Sequence, residues 1–194
     1  PNPVRILNHL TQGLVKAPYF QIFSTALVTA TFFITFDIFM QPLMIQASIP
    51  KPWFPFILAF ANLAVFASLN LYKVTKKYMN FGYYASTLIP LVPLLVFVIL
   101  GDPAVGLGFM LITILMRPMA VQETVKLVND NPVANQGIND ALVNTFSTGL
   151  TAFFSLLLGY FLNSYSLQTS TLIVLSVLVS FCLIFFHFKE KRNK

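Results

Sequence analysis

From Tyr19 to Ala47 the chain reads YFQIFSTALVTATFFITFDIFMQPLMIQA, an apolar run long enough to cross a bilayer as a helix. Inside that run stand one acid, Asp37, and a Gln41-Pro42 pair. A charged side chain near the middle of a membrane costs about 3 kcal/mol on the insertion scale, so Asp37 is a functional-site candidate from the outset. Five further apolar runs follow, and the chain reads as the scaffold around this first one.

Composition sets the class. With 57% hydrophobic residues, 9% charged residues and 21 phenylalanines in 194 residues, a soluble globular domain is excluded and a polytopic membrane protein is implied. Spans are expected near 19–47, 52–72, 80–100, 103–126, 136–163 and 167–188, which leaves no room for a soluble domain. Residues 1–18 carry Ile6, Leu7, Leu10 and Leu14 at helical spacing beside Arg5 and Lys16, the pattern of a helix lying on the membrane surface. Residues 189–194 form a basic tail. The chain begins at Pro1 with neither an initiator Met nor a signal-peptide pattern, and reads as the back part of a longer protein.

Orientation follows from the basic residues. Arg5, Lys16, Lys73, Lys76, Lys77, Arg117, Lys126, Lys189, Lys191, Arg192 and Lys194 fall on one side if the spans alternate, against Lys51 alone on the other. By the positive-inside rule both termini are cytoplasmic, in a plasma-membrane protein. The net charge of +6 is that topological signal and needs no nucleic-acid partner. Trp53 and the tyrosines fall near span ends, where amphipathic rings prefer the headgroup layer. The single cysteine, Cys182, gives no disulfide framework. His9 and His187 stand apart from any ligand cluster, and no metal or cofactor motif is present.

The spans differ in kind. Span three (LIPLVPLLVFVIL) and span six (LIVLSVLVSFCLIFF) are almost uniformly apolar and are expected to face lipid. Span five carries Gly137, Ala141, Asn144, Thr148, Thr151, Ser155 and Gly159 every three or four residues, a small-residue stripe that suits an interhelical seam. Asn144 serves either that seam or a ligand. Span one spreads Gln21, Ser24, Thr25, Thr29, Thr31, Thr35, Asp37 and Gln41 around the helix, and span four holds Gly106, Gly108, Thr113 and an Arg117-Pro118 pair. Proline within a span removes a backbone hydrogen bond, and such breaks survive where protein or a water-filled cavity satisfies the freed groups. Spans one and four therefore belong inside the bundle. Read as triplets, 19–100 and 103–188 each begin with an interrupted helix and end with a plain one. They run in opposite senses, the pattern of an inverted repeat in a secondary transporter.

Several stretches together resemble the C-terminal six-helix half of a major facilitator superfamily transporter. The entry LVKAPYFQIF, with Lys16, Pro18 and Tyr19, is similar to the family's approach to its seventh helix. The link between spans two and three resembles the second copy of its basic loop motif, with Ser68 at the glycine, Tyr72 at the Asp, and Lys73, Lys76 and Lys77 at the basic positions. The run RPMAVQETVKLVNDNPVANQGINDALVN resembles the link into the eleventh helix, with Gln136 where an Arg is common. The fold implied is an all-α membrane protein of six transmembrane helices in two inverted three-helix repeats. Spans one and four would line the path, spans two and five would face a missing N-terminal six-helix half, and spans three and six would lie outside.

The activity implied is secondary active transport of a small solute by alternating access, with no enzyme chemistry and no cofactor, and with proton coupling and export of a drug or metabolite as its favoured form. Pathway candidates are Asp37, Gln41, Thr35, Thr113, Arg117 and Asn144, and Lys73, Lys76 and Lys77 form a cytoplasmic gate loop. A carboxyl group in a cavity that opens alternately to two sides can take up and release a proton. The other reading of Asp37 is a carboxylate bonded to a neighbouring helix or to the backbone freed at Pro42. Gln41 is either a substrate contact or a polar group satisfied in the bundle. Counted from Tyr19, Asp37 lies about 27 Å along its helix, in the outer half, whereas Arg117 lies toward the inner face, so no direct pair is expected. Two other functions remain: a non-transporting interaction subunit, and a half-size transporter acting as a dimer.

Overall fold

The computed structural model describes residues 17–75, 83–118 and 136–192. Most of the surface segment 1–18, with Lys76, Lys77, Lys126, Asn193 and Lys194, lies outside the described residues. Every described element is helical: α1 (Ala17–Phe33), a π turn (Ile34–Ile38), α2 (Met40–Gln46), α3 (Phe54–Thr75), α4 (Tyr83–Leu88), α5 (Val92–Leu100), α6 (Pro103–Thr113), α7 (Gln136–Leu162) and α8 (Leu167–Arg192), with short 3-10 turns between some of them. Among the described residues four stretches are long and apolar enough to cross a membrane, namely Ile22–Gln46, Lys51–Ser68, Ala141–Leu162 and Leu167–His187. Tyr84–Leu100 and Pro103–Met116 are apolar but shorter.

The α1–α2 rod occupies the centre. It packs on α4, α6 and α7, while α8 closes against α5 and α7. Its residues are 72% buried across the span, against 11% for Lys51–Ser68, 22% for Ala141–Leu162 and 33% for Leu167–His187. Between helices in a membrane, close approach replaces the hydrophobic effect as the source of cohesion, and small or hydroxyl side chains permit it. The rod supplies Ser24, Thr25, Ala26, Ala30 and Thr31 at full burial. Two hydroxyls bond back to their own helix, Thr31 to the Val28 carbonyl at 2.8 Å and Thr29 to the Thr25 carbonyl at 3.1 Å, so their polarity is hidden from neighbours. Around this rod Phe39, Leu43, Phe97, Met110, Phe154 and Leu178 form one contiguous core.

Two proline breaks are healed in the same way. Pro118 has no N–H for the Ile114 carbonyl four residues back; the Arg117 N–H takes that carbonyl instead, and the chain tightens to a 3-10 turn over Ile114–Met116. Pro93 likewise cannot serve Ile89, and the Val92 N–H does, over Ile89–Leu91. The third span is therefore interrupted between α4 and α5, contrary to the plain helix that its apolar sequence suggests. Its Leu91, Leu94 and Phe97 are buried, while Leu88, Val92, Leu95, Ile99 and Leu100 are exposed.

The α5–α6 hairpin is built by three consecutive residues. Gly101 adopts φ 69°, the left-handed conformation that ends α5, and its N–H bonds the Phe97 carbonyl. Asp102 caps α6, its carboxylate accepting from Ala104 N at 2.8 Å and Val105 N at 3.3 Å, and Pro103 opens the helix where an N–H would be unpaired anyway. One turn on, Gly106 lets the two helices touch, since a Cβ there would stand 2.9 Å from Phe97 Cβ. Gln168 of α8 pins the same end by donating to the Val98 carbonyl at 2.8 Å.

Candidate functional site: an open stripe on the central helix

Pro42 cannot donate to the Ile38 carbonyl, and its ring crowds that carbonyl. The chain widens into a π turn over Ile34–Ile38 and restarts at Met40, which leaves Pro42 in the first turn of α2, where its missing N–H breaks no helical bond. Asp37 lies within the π turn itself. Such turns recur at functional sites because they redirect side chains without ending the helix.

The redirection is visible in the burial pattern. Ile34, Thr35, Phe36, Phe39, Met40, Leu43 and Met44 are all buried, whereas Asp37, Gln41 and Ile45 are exposed and Phe33 is half-buried. These last four recur every four residues, so the otherwise enclosed rod is open along one narrow stripe, and that stripe carries the acid and the amide. Arg117 joins it from the end of span four, with its guanidinium carbon 5.6 Å from the centroid of the Phe33 ring. Asp37 follows Phe33 by one turn on that stripe.

Arg117 thus meets the central helix at Phe33, and among the described residues it forms no ion pair with Asp37, as expected. From Ala17 to Gln46 the rod extends about 45 Å, beyond the thickness of a hydrocarbon core. Counted from the opposite ends, which pack side by side, Phe33 lies about 20 Å from Gln46 and Arg117 about 21 Å from Pro103, so the two are level. Arg117 is thus turned toward the central helix.

The remaining candidates do not converge there. Thr35 is fully buried on the opposite side of the rod, and its Oγ1 has no hydrogen-bond partner among the described residues. Thr113 is buried and bonds back to the Phe109 and Met110 carbonyls at 2.9 and 3.1 Å. Asn144 is exposed on α7, which meets α1 through its other face, where Val143, Ser147, Phe154 and Leu158 are buried. The small-residue stripe of span five points the same way as Asn144: Ala141, Thr148, Ser155 and Gly159 are exposed, and it forms no seam among the described residues. Lys73 falls in the last turn of α3; Lys76 and Lys77 lie outside the described residues. Phe33 is the member of the stripe that the sequence reading passes over, and its signal is the four-residue spacing Phe33-Asp37-Gln41. Among the described residues no group of three His, Cys, Asp or Glu side chains could hold a metal ion.

Fold and site together define an all-helical protein of membrane type whose central helix carries an acid on its one open stripe. Compared with family models, curated proteins and solved structures, the chain finds no match.

Proposed function

We propose that the chain is one half of a secondary transporter that moves a small solute along the Phe33-Asp37-Gln41 stripe by alternating access, with Asp37 handling the solute or a coupled proton. The observation that carries this reading is the exposure of Asp37 and Gln41 on the most buried of the long helices. An acid and an amide open to hydrocarbon would each cost several kcal/mol, so the stripe is best matched by a water-filled path or by another protein face across it. In this reading six spans form two triplets of opposite sense, resembling the C-terminal half of a major facilitator superfamily protein. Both ends are cytoplasmic, at the plasma membrane, and Lys73, Lys76 and Lys77 edge the inner mouth. A second six-helix half covers α3 and the exposed face of α7. Export of a drug or metabolite by exchange for protons is the form favoured.

The exposed stripe of α7 also suits a reading in which the chain only associates with another membrane protein. Asp37→Asn in the complete transporter separates the two. The expected result is a folded, membrane-inserted protein that has lost gradient-driven solute movement in proteoliposomes; movement at the wild-type rate would eliminate the role of Asp37.

A further inference from the structure

We propose that Asp37 and Arg117 form a two-ended site for an amphoteric solute, a small molecule that carries an ammonium group and a carboxylate, with the ammonium at Asp37 and the carboxylate at Arg117. The inference rests on the pathway reading above, because it places the solute on the same open stripe.

The geometry points to this class in three ways. Arg117 rests over the Phe33 ring at 5.6 Å, and a guanidinium held against a ring keeps its in-plane N–H donors for the planar, bidentate grip of a carboxylate. Asp37 stands one turn outward on the same stripe, exposed, with only acceptor oxygens when ionised and hence fitted to a donor cation. Gln41, exposed one turn further on, adds an amide that can bond a polar group on the solute. A site with one positive and one negative group discriminates between charge types. A singly charged solute would answer only one of the two groups, whereas an amphoteric solute of suitable length answers both.

The test is equilibrium binding to the complete transporter, purified in detergent micelles. The probes are leucine; 3-methylbutylamine, which is leucine without its carboxylate; 4-methylpentanoate, which is leucine without its ammonium; and glycine betaine as a second amphoteric probe. At least one amphoteric probe is expected to bind about tenfold more tightly than either singly charged one. Asp37→Asn should abolish the preference for leucine over 4-methylpentanoate, and Arg117→Gln the preference for leucine over 3-methylbutylamine. Arg117→Lys, which keeps the charge, should restore part of the latter and guards against simple loss of the ring contact. The proposal is overturned if neither amphoteric probe outbinds the singly charged pair, or if both neutralising variants, shown to be folded by an unchanged melting profile, retain both preferences. Binding is read without a gradient. Amphoteric binding by a protein that moves nothing across a liposome would defeat the transport reading alone, and transport with no such preference would defeat this inference alone.

Discussion

The first two membrane-length helices lie next to each other in sequence and have opposite fates. Ile22–Gln46 is 72% buried and Lys51–Ser68 only 11%. The buried one carries Ser24, Thr25, Thr29, Thr31, Thr35 and Asp37, whereas the exposed one presents Phe56, Phe60, Leu63 and Phe66 outward. By hydropathy the buried helix is also the more apolar of the two, so apolar content alone would rank it inside in water as well. Where the solvent is hydrocarbon, apolar area gains nothing by leaving it. Burial then goes to the helix whose hydroxyls and small residues allow neighbours to approach closely and whose polar groups need a shield from lipid. The centre of this protein is therefore a long helix that carries hydroxyls and an acid within an apolar run.

The largest effect expected from this contrast is at matched phenylalanines. Phe39 is fully buried in the rod and Phe60 of α3 is 62% exposed. Phe39→Ala leaves a cavity against the core and should cost about 3–5 kcal/mol. Phe60→Ala should stay within about 0.5 kcal/mol for the chain alone in micelles. Reversible unfolding in mixed micelles measures both. Equal losses at the two sites would mean that the face of α3 is held against something and that the contrast in burial has been misread.

Much of this contrast is legible in the sequence, and the part that is not has physical reasons. Composition identifies an all-helical membrane-type chain, and the mixture of hydroxyls with one acid singles out Tyr19–Ala47 as the interior rod. Apolar content, however, measures how much side chain avoids water and says nothing of backbone bonding. LIPLVPLLVFVIL therefore reads as a plain span, although Pro90 and Pro93 force a 3-10 turn within it. The meeting of Arg117 with Phe33 is also not legible, because it depends on how the helices pack side by side and not on residue counts along one of them. The stripe of α7 shows that small residues at helical spacing identify a face that can be approached, but not which neighbour approaches it.

A smaller effect sharpens the contrast at glycine. Gly106 backs onto Phe97 Cβ, while nothing lies within 4 Å of a Cβ added at Gly149 on the outer face of α7. Gly106→Ala must push α5 and α6 apart, and should cost about 1–3 kcal/mol despite the better helix propensity of alanine. Gly149→Ala has only that propensity to express and should stabilise by up to about 1 kcal/mol. Thermal melts of the two variants should move in opposite directions. A loss at Gly149 in the isolated chain would show that this face is packed after all, and would place the partner surface in a second copy.

The smallest effect distinguishes the two sides of the rod. Thr31 and Thr35 are both fully buried, but Thr31 bonds the Val28 carbonyl, whereas Thr35 Oγ1 has no partner among the described residues. Valine matches threonine in shape and removes the hydroxyl. At Thr31 the exchange gives up a bond of modest net value together with the cost of burying its donor, so little change is expected, about 0.5 kcal/mol either way. At Thr35 it removes a desolvated hydroxyl with nothing set against it, and should stabilise by about 1 kcal/mol. Because Thr35 points away from the open stripe, solute binding at Asp37 and Arg117 should be unaffected by that gain. A Thr35→Val protein that is more stable yet no longer binds or moves solute would return the buried side of the π turn to the pathway. It would also mean that the rod turns during the cycle, bringing residues 35 and 37 to the path in alternation.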